Sequence, residues 1–428
     1  MTESERSGDC HPMAEPPRNQ TQPAESPLSR TFAALRHRGF RLYWSGNTVS
    51  LIGVWMQNIA RAWLVLQLTN SPFMVGFETA VSRLPIWLFS LPAGVLADRY
   101  SKRNLLLIGQ SLQAVLALAL AVLAFTGVIN IYHILIISGL TGCIIAVNAP
   151  VRHSILPELV GKKDLLNAVA LNAAVWNGAR IIGPSIAGVA LGVIGAGGCF
   201  AINSASFLTV IIALAFIHIK PVSTEPEKES VWQRIVTGLR FVKAHKDIRV
   251  LMVMAAVFSS FGIVYLPLMP VFAKDVFNAG PKGYGIMMAA VGVGALTGLL
   301  VLATISKTRH KGLILVFGTL VLSVLLIAFS LVRNFTIGIA VMVGMGFSQS
   351  ITASLTNTLI QTLAPDHIRG RVMSIFTLCF LGMFPLGSLL GGAIAQKFGA
   401  PASTLLGGCA ILISLVLVNL LRSQIRRL

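Results

Sequence analysis

The sequence predicts an all-α membrane protein of twelve transmembrane helices, arranged as two six-helix halves. Hydrophobic residues make up 55% of the chain and charged residues only 11%, against about 25% charged in soluble domains. Apolar runs long enough to cross a bilayer, which takes about 20 residues, recur along the whole chain. Two glycine-rich stretches, "GPSIAGVALGVIGA" (183–196) and "GSLLGGAIAQKFGA" (387–400), align without a gap half a chain apart. A soluble enzyme is excluded on composition alone.

The apolar runs fall at 42–68, 72–97, 105–126, 131–151, 167–194, 197–219, 250–273, 284–306, 313–332, 335–360, 373–396 and 402–421; they are numbered spans 1 to 12. Residues 1–29 are polar and proline-bearing, without the apolar stretch of a signal peptide, and are expected to form a disordered cytoplasmic tail. The first six-helix half is expected over 30–219 and the second over 250–428. Between them, 220–249 opens as a Pro/Glu/Ser linker. It continues with Trp232, Ile235, Val236, Leu239 and Val242 at helical spacing, the pattern of an amphipathic helix lying on the cytoplasmic membrane surface.

The net charge of +19 is an orientation signal. The connections after odd-numbered spans carry only Lys274, Lys282, Arg333 and Lys397 as bases. The remaining bases outside the spans fill the even-numbered connections and both tails. By the positive-inside rule both termini are cytoplasmic, in a multi-pass protein of the cell membrane. A lipid bilayer, rather than nucleic acid, is the expected partner of this charge. The five cysteines (Cys10, Cys143, Cys199, Cys379, Cys409) are scattered, and four lie in apolar runs, so neither a disulfide framework nor a metal site is expected.

In the alignment of the two halves, Gly183 falls on Gly387, Gly188 on Gly392, and Gly195-Ala196 on Gly399-Ala400. At the same offset Gly94 falls on Gly298, and one residue further Ser101-Lys102 falls on Ser306-Lys307. Two separated places agreeing in this way point to duplication. A parallel 6+6 repeat around a midplane site is a secondary-transporter arrangement.

The stretch Gly94-Val-Leu-Ala97-Asp98-Arg99-Tyr-Ser-Lys102-Arg103 resembles the signature loop between helices 2 and 3 of the major facilitator superfamily, with Ser101 where a second glycine is usual. "FRLYWSGNTVSLIGVWMQ", "GARIIGPSIAG" and "APDHIRGRVMS" resemble the enterobactin-exporter-like branch, the transmembrane secretion effectors. The resemblance implies the major facilitator fold and transport by alternating access. It also implies a gating loop made of Gly94, Asp98, Arg99, Lys102 and Arg103, with Asp98 meeting the start of span 11 near Arg369–Met373 and the bases holding the anionic cytoplasmic surface. Gly183, Pro184 and Gly188 resemble a helix-5 motif associated with antiporters, Ala187 standing in for a glycine. The bland reading of these two motifs is a positive-inside anchor and simple helix packing.

Charge inside a bilayer is costly and marks a pathway or a partner. Arg61 and Glu78 lie at similar depth on spans 1 and 2, so a pair is expected; Glu78 is also the acid placed deep enough to serve proton coupling. Arg83 and Arg180 lie near mid-span without an acid to neutralise them, which favours an aqueous cavity attractive to anions. Asn172, Trp176 and Arg180 share one face of span 5, and Gln57, Asn58 and Arg61 one face of span 1. On span 10, Gln349, Thr352, Thr356 and Asn357 form a looser polar stripe. In the superfamily, helices 1, 4, 7 and 10 line the cavity, so these are candidate substrate contacts; polar glue between helices is the competing account.

The expected function is therefore a secondary active exporter, proton-coupled, of an amphipathic or anionic small molecule such as a siderophore, drug or metabolite. An importer or flippase of a lipid-like substrate is the alternative. No nucleotide-binding G-x-x-x-x-G-K-[ST] loop occurs, so no ATP chemistry is expected. The protein is expected to be a monomer without catalytic residues or a cofactor, driven by an ion gradient.

Overall fold

The computed structural model describes residues 32–217, 231–305 and 310–421, with side chains for all of these except 90–99, 153, 231–235 and 421. The expectations on residues 1–29, on 220–230, on Ser306-Lys307, on the side chains of Trp232 and Ile235, and on those of Gly94, Asp98 and Arg99 lie outside the described residues. No strand occurs among the described residues.

Among the described residues, twelve spans cross the molecule. Span 1 is Arg38–Thr69, span 2 Pro72–Arg99 and span 3 Lys102–Phe125. Spans 4 and 5 are the two arms of Ile131–Val193, a helical run broken at Gly161, where φ is 70° and ψ is 177°. Span 6 is Gly195–Phe216, span 8 Gly280–Thr304, span 9 Lys311–Leu331, span 10 Phe335–Leu363, span 11 Asp366–Phe398 and span 12 Ala400–Leu421. The break at Gly161 needs a residue without Cβ, because its positive φ costs other L-residues energy.

Span 7 is itself interrupted. It runs as Lys246–Val257, a π turn at Phe258–Gly262, the helix Tyr265–Val271, and a second π turn at Phe272–Val276. Pro267 and Pro270 lack the N–H that a continuous ladder requires. Wider i→i+5 turns absorb the mismatch.

One expectation needs correction, and a second gains a contact. The residues between spans 4 and 5, about 152–166, are not a loop: both helices continue through them to the kink at Gly161. The linker helix Val231–Ala244 is also held by protein. It packs on span 11, where a methyl group on Gly238 would stand 3.1 Å from the Arg371 carbonyl oxygen. Val242 is buried there, while Leu239, expected on the same apolar face, is 43% exposed.

The duplication is visible in the packing. A methyl on Gly183 would stand 3.0 Å from the Ile52 carbonyl oxygen of span 1, and one on Gly387 2.2 Å from the Ser260 carbonyl oxygen of span 7. A methyl on Gly188 would stand 2.9 Å from the Gly285 Cα of span 8, and one on Gly392 3.3 Å from the Gly76 Cα of span 2. Gly195 and Gly399 both take positive φ, 68° and 87°, at the turns after spans 5 and 11. Small residues let these backbones touch, which is how helices associate in lipid.

Of these contacts, spans 5 on 8 and 11 on 2 join the two halves. Around them, at the end that carries the 1–2, 7–8 and 11–12 connections, Ser71 Oγ lies 2.7 Å from Gln396 Oε1 and Lys274 Nζ 2.5 Å from Asn70 Oδ1. Trp63 of span 1 stacks on Tyr284 of span 8, with ring centroids 6.2 Å apart. This end of the molecule is closed.

Candidate functional site

Span 1 supplies one wall of a cavity of about 290 Å³ lying wholly within the first half. Tyr43, Asn47, Trp55, Gln57, Asn58 and Arg61 recur on it at helical spacing and line the space. Span 2 adds Ser82 and Arg83, span 4 adds Asn148 and Arg152, span 5 adds Asn172 and Trp176, and spans 3 and 6 add Gln113 and Asn203. The cavity thus runs from Arg61 down to Tyr43 and Arg152, towards the end that carries the basic connections.

Its deep end holds the expected ion pair. Arg61 Nε lies 2.8 Å from Glu78 Oε1, and both side chains are less than a tenth exposed. The Nε–H is not aligned for a hydrogen bond, so the contact is ionic. Ser138 of span 4 donates to the same carboxylate oxygen at 2.7 Å, and Arg61 also donates to Asn58 Oδ1 at 3.2 Å. Arg61 therefore touches both the buried acid and the cavity. Gln57 accepts from Asn203 Nδ2 at 2.7 Å, tying span 1 to span 6.

Arg83 lines the cavity, and among the described residues no acid lies within ion-pair distance of it. Asn172 and Trp176 line it as well, Trp176 meeting Trp55 edge-to-face with ring centroids 6.1 Å apart. All three of these residues therefore lie in the cavity wall. Arg180, Gln349 and Asn357 do not line this cavity. Arg180 sits on the face of span 5 turned to the second half, within electrostatic reach of Tyr265 on span 7. The Tyr265 hydroxyl donates to Gln349 Oε1 at 2.6 Å. Asn357 accepts from Gln361 one turn further along span 10, a bond within its own helix.

The loop bases also differ from expectation. Lys102 Nζ pairs with Glu158 Oε1 at 2.5 Å and is only 18% exposed. Arg103 donates to the carbonyl oxygens of Leu214 at 2.7 Å and Ala215 at 2.9 Å. The last turn of span 6 leaves carbonyls unpaired, and a cation there is favoured by both hydrogen bonding and the helix dipole. These two bases staple the first half together rather than reaching free to lipid. Of the helix-5 motif, Gly183 packs within the first half, and Gly188, with the Pro184 carbonyl beside it, makes the contact to span 8.

Sequence reasoning missed Arg152, Asn148 and Ser138. Arg152 reads as a loop base when span 4 is ended at residue 151. The readable signal was the scarcity of helix breakers between Val151 and Gly161, where only Pro157 intervenes.

The profile of the transmembrane secretion effectors matches residues 29–427, nearly the whole chain. The chain belongs to the transmembrane secretion effector family. It is a multi-pass membrane transporter of the major facilitator superfamily, not an enzyme. Similar proteins include the staphyloferrin A transporter of Staphylococcus aureus, 29% identical over 84% of this chain and 90% of that protein. The multidrug efflux pump Tap of Mycolicibacterium fortuitum is 26% identical over 81% and 87%. The enterobactin exporter EntS of Shigella boydii is 22% identical over 91% and 93%. Among solved structures, the nucleoside transporter NupG matches with a TM-score of 0.72 at 12% identity, over 92% of this transporter and all of that chain. A bacterial Spinster homologue in an inward-facing, occupied conformation matches with a TM-score of 0.71 at 13% identity, over 92% and 97%. These structural likenesses carry the fold.

Proposed function

We propose that this transporter exports an anionic or amphipathic small molecule, of the siderophore or drug class its relatives are named for, by proton-coupled alternating access. The observation that carries the reading is the position of Arg61, shared between the buried Glu78 and the cavity. Protonating Glu78 removes the partner of Arg61 and leaves one more uncompensated positive charge on the cavity wall. Proton occupancy and the charge presented to substrate then change together, which is what coupling requires.

The cavity end with the basic connections is taken as cytoplasmic by the positive-inside rule, with both termini on that side. The closed packing of spans 2 on 11 and 5 on 8 then corresponds to a state that loads from the cytoplasm. Release outward requires those glycine contacts and the Ser71–Gln396 and Asn70–Lys274 bonds to separate. The gating role of the 94–103 loop fits this cycle, with Lys102 and Arg103 holding its second helix in place.

Reconstitution into proteoliposomes with an imposed proton gradient tests the reading. Glu78→Gln is expected to lose gradient-driven transport while retaining gradient-independent exchange. Unchanged gradient-driven transport in that variant removes Glu78 as the coupling site.

A further inference from the structure

The cavity carries more positive charge than the buried Glu78 accounts for. Arg61, Arg83 and Arg152 all line it. Glu78 satisfies Arg61, and no described acid stands within ion-pair distance of Arg83 or Arg152. The three guanidiniums are spread in depth. Ser138 marks the level of the Arg61–Glu78 pair on span 4. From there to Arg152 the same helix rises about 21 Å, at about 1.5 Å per residue. Arg83 lies about 8 Å from Glu78 along span 2 by the same rise. Arg152 is also within electrostatic reach of Tyr43, near the start of span 1, which fixes it at the basic end.

Between these levels lie two buried amides, that of Asn148 packed against Gly109 of span 3. Asn148, one turn before Arg152, has both amide atoms buried and unpartnered, and Asn47 Oδ1 is likewise unpartnered. The two residues are 2% and 3% exposed, and both line the cavity.

We propose that the cavity takes a molecule bearing two or more separated anionic groups, such as a polycarboxylate, and that Arg152 receives the anion nearest the basic end. A monoanion engages one guanidinium and leaves the next uncompensated. A long dianion reaches from Arg83 to Arg152. Arg152 is thereby a specificity residue, selecting charge number and spacing. The inference rests on the cavity being the substrate site, and it is independent of which residue carries the proton.

The test uses the full chain in lipid nanodiscs, with binding read by tryptophan fluorescence from the Trp55–Trp176 wall. The probes are suberate, octanoate and the neutral suberamide, which share one chain length and differ in charge. Suberate is expected to bind at least tenfold more tightly than either of the others. Arg152→Gln is expected to bring suberate to within threefold of octanoate, and Arg152→Lys to keep most of the excess. The proposal is overturned if suberate fails to bind at millimolar concentration, if it binds no more tightly than octanoate, or if its excess survives Arg152→Gln. The comparison of ligands on the unmodified protein needs no variant to fold. A suberate excess dependent on Arg152, together with unchanged gradient-driven transport in Glu78→Gln, retains this inference and rejects the coupling site.

Discussion

Arg61 Nε and Glu78 Oε1 stand 2.8 Å apart at the closed end of the cavity, both buried, on helices that meet at the 70–71 turn. A buried pair of this kind contributes little net stability when intact, but losing one partner strands the other charge. Arg61→Met is therefore expected to destabilise the protein by about 3–5 kcal/mol. Combining it with Glu78→Gln should recover part of that loss. Thermal unfolding in detergent of the two single variants and the double variant reads the coupling, and strictly additive losses would contradict it.

The contact between Gly188 and Gly285 leaves no room for a side chain. A Cβ on Gly285 would stand 2.6 Å from the Pro184 carbonyl oxygen and 2.7 Å from Gly188 Cα. Gly285→Val should cost about 1–3 kcal/mol of overpacking and push the halves apart at this end. Spin labels at Val128 and Asn334, in the 3–4 and 9–10 connections, should show a longer distance becoming populated. An unchanged distance distribution would mean that span 5 and span 8 do not control closure.

Lys274 and Asn70 bridge the halves across the same end, next to the Ser71–Gln396 bond. Replacing both with cysteine and joining them by a short bifunctional methanethiosulfonate should hold this end shut. Transport is expected to fall to background and to return when the linkage is reduced. Full transport by the linked protein would show that the bridge need not open.

Arg103 binds two carbonyl oxygens at the end of span 6. Hydrogen bonds to charged groups are worth about 1.5–3 kcal/mol each when buried, and partial exposure reduces this. Arg103→Ala is expected to lower stability by about 1–2 kcal/mol on that scale. Arg103→Lys should restore only part, because one ammonium lacks the fork that reaches both oxygens. Equal stability of the Lys and Arg proteins would refute the staple.

The Arg61–Glu78 pair was legible because depth can be counted from a short turn: both residues sit a similar distance from residues 70–71. The glycine repeat was legible for a related reason, since close backbone approach leaves only small residues possible on either side. Arg152 was not legible from hydropathy. Hydropathy ends span 4 where polar residues begin, whereas the backbone hydrogen-bond ladder continues to Gly161 and carries Arg152 into the cavity wall. Lys102 and Arg103 misled in the opposite direction, because a base in a loop looks free until Glu158 and the end of span 6 arrive beside it.

Composition and the spacing of apolar runs were enough to establish the twelve spans and their alternating charge. Those features follow from the transfer of each residue between water and lipid, which a residue carries wherever it sits in the chain. The division of the arginines among an ion pair, a cavity wall and the boundary between halves required the folded molecule. Hydrogen bonds and close ion pairs act over a few ångströms, and partners such as Glu78 and Ser138, or Lys102 and Glu158, come within reach only once separate helices have packed.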